Sequence, residues 1–214
     1  MRICEVSKAG PKRGRVDVKN RFILLKKVRY GEADLIIQAL SPQGGRSSFM
    51  ARGALKSKKR FGGGVLEPGH FVLLTYQSVP SGSNRLQILK EASLIEDFKG
   101  LREDYDRLDF ALKALEIVGK VSQEGDSNSE FLFNIIGHTL RALESSNDIE
   151  PIRFQFFLKL LLQQGVLTVE PWMEGFLKEP LSQHAALREL AQRESMRRPG
   201  LELLVHDYIK NAGL

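Results

Sequence analysis

A single cysteine, Cys4, stands in the 214 residues, which excludes an intrachain disulfide framework and any zinc site built from several cysteines. No apolar run approaches the roughly 18 residues that a membrane-crossing helix needs. The first twenty residues, MRICEVSKAGPKRGRVDVKN, hold no apolar stretch of secretory-signal length, and Gly, Pro and acidic residues interrupt the basic pattern of a transit peptide. The four histidines, His70, His138, His184 and His206, stand far apart, without HExxH or Cys/His spacing. GKVS at 119–122 lacks the upstream glycine of a phosphate loop and the hydroxyl residue after its lysine. Glu103, Asp104 and Asp106 of REDYDR cluster where a helix start favours negative charge. The expectation is a protein without catalytic residues, metal or cofactor, suited to a reducing cytoplasm.

Acidic residues are also scarce in one half. Residues 1–90 carry 5 Asp and Glu against 18 Lys and Arg, a net +13, whereas residues 91–214 carry 21 against 14, a net −7. Such asymmetry points the basic half at a polyanion. The pattern of apolar residues divides at the same place. Spacing predicts strands over 21–30, 35–40, 47–52, 70–78 and 86–95, parted by the turn signals GEAD, SPQGGR and VPSGSN. Five short strands with one long connection between the third and fourth are the outline of an OB barrel. From Leu101 the period becomes helical, through Tyr105, Leu108, Leu112 and Leu115. Further helices are expected over 130–146, 148–165, 182–196 and 200–213, the second of these with Pro151 in its first turn and Gly165 at its stop. The expected fold is α+β in two parts: a loosely ordered basic arm (1–19), an OB-fold β-barrel that binds nucleic acid (20–97) and an all-α helical bundle (98–214), with no internal repeat.

The long connection, ARGALKSKKRFGGGVLEPGH at 51–70, sets Lys56, Lys58, Lys59 and Arg60 beside Phe61 and three consecutive glycines. Like charges repel and glycine costs conformational entropy, so the segment is either a solvated loop or the seat of an anion. The cations have company in the same half: Lys26, Lys27 and Arg29 on the first strand, Arg46 after the second, Arg52 on the third and Arg85 before the fifth. Lys and Arg neutralise phosphate, and Arg can also fork onto it or stack on a base. The glycines read as a flexible connector or as a backbone cradle for phosphate. Most aromatics of this half are expected in the core; Phe61, set among cations and glycines, is the one expected to stack on bases.

The run YGEADLIIQALSPQGGRSSFMARGALKSKKRFGGGVLEP resembles the N-terminal domain of the bacterial RecO family of repair and recombination proteins. That family shows a [YG]-E-[AS]-D run, a G-[RK] turn, an A-[RK]-G-[AV] step, basic residues before RFGG, and LEPF. LREDYDRLDFALKALEIVGKVSQEG and FQFFLKLLLQQG are similar to helices of its C-terminal part, so the resemblance spans most of 20–165. It implies an OB-fold followed by a helical domain, single-stranded DNA binding and strand annealing without bond chemistry. It also implies partnership with RecR and the single-stranded-DNA-binding protein to load RecA, in the cytoplasm at the nucleoid. The chain departs from the pattern in its basic residues 1–19, in Gly69-His70 after Leu-Glu-Pro, and in lacking the four-cysteine zinc module of many relatives. The 166–180 stretch must then hold itself by packing, with Trp172 either buried or part of a partner surface. Three readings stay open at this point: a single-strand DNA annealer whose basic surface also faces duplex, a non-catalytic protein-interaction adaptor, and an RNA-binding OB protein.

Overall fold

The structure, a computed structural model, describes residues 17–78, 86–125 and 128–212. Five strands, β1 (Asp17–Tyr30), β2 (Asp34–Ser41), β3 (Gly45–Ala51), β4 (Phe71–Gln77) and β5 (Gln87–Glu96), close into a barrel in the order β1-β2-β3-β5-β4. All neighbours are antiparallel except β3 and β5, whose short parallel ladder seals the barrel. This is the OB topology expected from strand spacing. β1 begins inside the stretch assigned to the arm: Asp17, Val18 and Lys19 pair with Gln77, Tyr76 and Thr75. Residues 1–16 lie outside the described residues.

The run Phe22-Ile23-Leu24-Leu25 explains how barrel and helices join. Successive strand side chains point to opposite faces, and here both faces are covered. Phe22 and Leu24 enter the barrel core with Ile37, Phe49, Val72 and Leu74. Ile23 and Leu25, with Leu40 of β2, enter the core of the helices. A bulge at Leu25 shifts the β1–β2 register between Leu24 and Lys26. The β2–β3 turn docks beside them: Arg46 donates from its guanidinium to the Gly119 carbonyl at 2.7 Å, and Ser129 Oγ donates to the Pro42 carbonyl at 2.8 Å.

Helices α1 (Tyr105–Val121), α2 (Ser129–Ser145) and α3 (Glu150–Gln163) form the bundle. Asp104 caps α1, its carboxylate accepting from the Arg107 N–H at 2.9 Å, which gives the acidic helix start a structural role. The periodicity found α1 but missed its inner face. Tyr105 is 80% exposed and Leu112 47%; the buried stripe is Phe110, Ala114, Ile117 and Val121, flanked by Ala111, Leu115 and Val118. The small alanines let α2 approach, so the chain hides them and leaves the larger Leu112 outside.

Beyond α3, packing secures the 166–180 stretch. Phe176 of α4 (Glu174–Lys178) stacks on Phe154 at 4.8 Å, Gln155 donates to the Glu179 carbonyl at 2.8 Å, and Lys159 donates to the Leu177 carbonyl at 2.6 Å. Trp172 is half-buried, edge-on to Phe154 and Phe176, with the Arg197 guanidinium 4.8 Å over its ring. The single helix expected over 182–196 is divided: a 3-10 segment (Leu181–Leu187), α5 (Arg188–Arg193) and a second 3-10 turn (Ser195–Arg197) precede α6 (Arg198–Asn211). The first break has a geometric reason. Leu181 and Leu187 are both buried, and six residues are two whole turns at three residues per turn, whereas in an α-helix they would sit about a third of a turn apart.

Candidate nucleic-acid interface

The 52–70 connection is an ordered plug for the end of the barrel that carries the β1–β2 turn. Gly53, left-handed at φ +64°, donates its N–H to the Asp34 carboxylate at 2.7 Å, and Leu55 N–H donates to the Ala33 carbonyl at 3.0 Å. On the far side, Ala92 N–H of β5 donates to the Arg60 carbonyl at 3.2 Å. Between these tethers Ala54, Phe61, Val65 and Leu66 fill the barrel core. Gly62 is required there: a Cβ would come within 2.0 Å of the Lys58 carbonyl oxygen. Gly63 and Gly64 hold left-handed φ of +71° and +70° in open space, a conformation glycine adopts without strain.

Phe61 therefore is not the exposed stacking platform the sequence suggested. Its ring is 6% exposed in the barrel core, with the Arg60 guanidinium 5.1 Å from its centroid. The apolar ring fills the hole that a closing barrel leaves at its end, a demand that its charged neighbours in sequence do not reveal.

The predicted cations separate into two groups. Some are engaged within the protein: Arg46 on the Gly119 carbonyl, Arg60 on the Arg52 carbonyl at 2.9 Å, and Lys27 in an ion pair with Glu67. Half-buried Arg46 is a strut between barrel and helix α1. Others are exposed, and the register brings them together. Arg29 lies opposite Leu35, which lies opposite Ala51, so Arg29, Arg52 and the plug share one barrel end. Exposed Lys56, Lys58 and Lys59 crown that end. Arg29, Arg52, Lys56, Lys58 and Lys59 have no ion pair among the described residues. Lys26 points the other way and reaches the field of Glu116, whose carboxyl is held below its usual range first by Lys120 and to a lesser extent by Lys26. Arg85 lies outside the described residues.

The outer face of β1–β2–β3 carries residues that sequence reasoning passed over. Leu35, Ile37, Phe49 and Ala51 point into the barrel, so by alternation Ile36 and Met50 point out. Val28 lies opposite Ile36, Ile36 opposite Met50, and Met50 beside Ile88 of β5. Lys26, Gln38 and Ser48 form the adjacent row, and Tyr30 lies opposite Asp34 at the turn. The readable signal was the alternation of KKVRY: Lys26, Val28 and Tyr30 share one face, Lys27 and Arg29 the other.

His70 locks the plug to the helices. Its Nδ1 donates to the Val65 carbonyl at 3.2 Å and its Nε2 accepts from Arg102 at 3.0 Å, which fixes a neutral imidazole. Burial, and then the Arg102 charge, hold its pKa below the ordinary 6.5 against the opposing pull of the Val65 carbonyl, Asp97 and Glu67. Among the described residues no three His, Cys, Asp or Glu side chains gather as a metal site would need, and no helix is long and apolar enough to cross a membrane.

Comparison with known sequences bears on this geometry. The N-terminal domain pattern of recombination protein O matches residues 16–98, and the C-terminal domain pattern of the same family matches residues 102–167. The DNA repair protein RecO of Alkaliphilus metalliredigens is 31% identical over 152 residues, 70% of this chain and 58% of that protein. Its namesake in Bacillus pumilus is 30% identical over 149 residues, covering 70% and 56%. That of Desulfosudis oleivorans is 34% identical over 123 residues, covering 58% and 46%. The chain thus spans less than two thirds of the length of these relatives.

Proposed function

Because this chain belongs to the recombination protein O family, we propose that it binds single-stranded DNA at the cationic end of its barrel and acts as a strand-annealing mediator in recombinational repair. One observation carries the reading: the plug and the β1–β2–β3 register gather Arg29, Arg52, Lys56, Lys58 and Lys59 at one end, with no ion pair among the described residues. Five like charges on a rigid frame repel one another unless something anionic lies across them. Neutralised phosphates let two strands approach, while sequence-tolerant contacts leave base edges free to pair. No bond need be made or broken. By the same family argument its partners are RecR and the single-stranded-DNA-binding protein, with RecA loading as the outcome at the nucleoid.

Anisotropy of a labelled single strand across a salt series tests the reading. Five phosphate contacts at about 0.7 each give a log–log slope near −3.5. The triple variant Lys56→Ala, Lys58→Ala, Lys59→Ala should flatten it by about 2. Absent binding, or a slope the variant leaves unchanged, would overturn it. A duplex arm shows whether the same cations serve both forms.

A further inference from the structure

We infer that the open part of the β1–β2–β3 face is a base-stacking floor: Tyr30 and the aliphatic row Val28, Ile36, Met50 and Ile88 receive unpaired bases of the strand whose phosphates meet the cations. This rests on the DNA-binding reading and names which chemical part of the strand this face takes.

The face is divided in two. At the end where Ile23 and Leu40 lie, the helices cover it and those side chains join the helical core. Past the row of Lys26, none of the four aliphatic side chains belongs to either core or packs against one. Val28 is 45% exposed and Tyr30 56%. A monomer rarely leaves such a contiguous apolar strip open unless it binds something. The surroundings select the occupant. Lys26 borders the strip on one side, and Arg52 with the plug lysines borders it on the other. The nearest acid, Asp34, has a carboxylate oxygen occupied by the Gly53 N–H at 2.7 Å. An apolar floor between cationic margins fits a ligand with flat apolar faces on an anionic backbone, which describes an unpaired nucleic-acid strand. Stacking uses the base faces and leaves the Watson–Crick edges outward, as annealing requires. It also supplies the base contact that buried Phe61 does not.

The test compares a thymidine 20-mer with an abasic oligonucleotide of the same length, both by anisotropy. The wild-type protein should prefer the thymidine strand. Tyr30→Ala should weaken thymidine binding by about 5- to 150-fold with the abasic strand unaffected, and Tyr30→Phe should restore it. The triple lysine variant should weaken both strands in parallel. If wild type binds both strands equally, the floor is wrong and the phosphate reading stands; if it binds neither, both fall. Equal loss from both strands in Tyr30→Ala, or no rescue by phenylalanine, would also overturn the floor, since it would mark Tyr30 as structural.

Discussion

At the scale of single residues, environment separates side chains that look alike in sequence. Lys56 and Lys58 stand near Arg60 in the chain, yet Arg60 is spent on the Arg52 carbonyl and the Phe61 ring while the lysines face solvent. The basic run was legible as a cluster; which members were free was not, because that depends on carbonyls far away, as Gly119 is from Arg46. Phe61→Ala should cost about 3–5 kcal/mol by urea denaturation, the price of an emptied core site, and should weaken DNA binding only as far as the plug loosens. Gly62→Ala should lower stability by about 1–3 kcal/mol, since the Lys58 carbonyl must move aside. His70 carries a pH signature. Its pKa is lower folded than unfolded, so the unfolded chain takes up the proton first. Its contribution is fully present above about pH 6.5 and fades as pH falls through that value toward the lower folded pKa. Urea stability measured at several pH values should fall more steeply on acidification for wild type than for His70→Gln; equal slopes would contradict this.

At the scale of elements, periodicity located the five strands and the first three helices, because each has a long apolar pattern. It went astray where burial departs from hydrophobicity rank. On α1 the alanines are inside and Tyr105 and Leu112 outside, so Leu112→Gln should change stability by less than about 0.5 kcal/mol. Ala114→Leu, overpacking the α1–α2 contact, should cost about 1–3 kcal/mol. The divided 181–197 segment was illegible for a related reason: a three-residue turn and a 3.6-residue turn differ little over one window, and only the shared core of Leu181 and Leu187 decides between them.

At the scale of the whole molecule, the charge asymmetry was the most informative feature of the sequence, and the structure gives the cations a definite address at one barrel end. The sharing of β1 between two cores was only half legible. Four consecutive apolar residues announce a strand covered on both faces, but not by what. With Ile23, Leu25 and Leu40 in the helical core, calorimetry should show barrel and bundle melting in one transition. A fragment ending at residue 98 should melt lower or fail to fold.

That two-sided strand also sets a schedule for synthesis. Phe22 to Leu25 leave the ribosome among the earliest segments, yet Gly137, whose surface Ile23 packs against, is 114 positions later. At roughly 5–20 residues per second, the outer face of the first long strand waits about 6 to 23 s for its cover. During that interval the nascent chain presents a sticky, half-finished edge, so the cell's holding chaperones become part of how this protein is made.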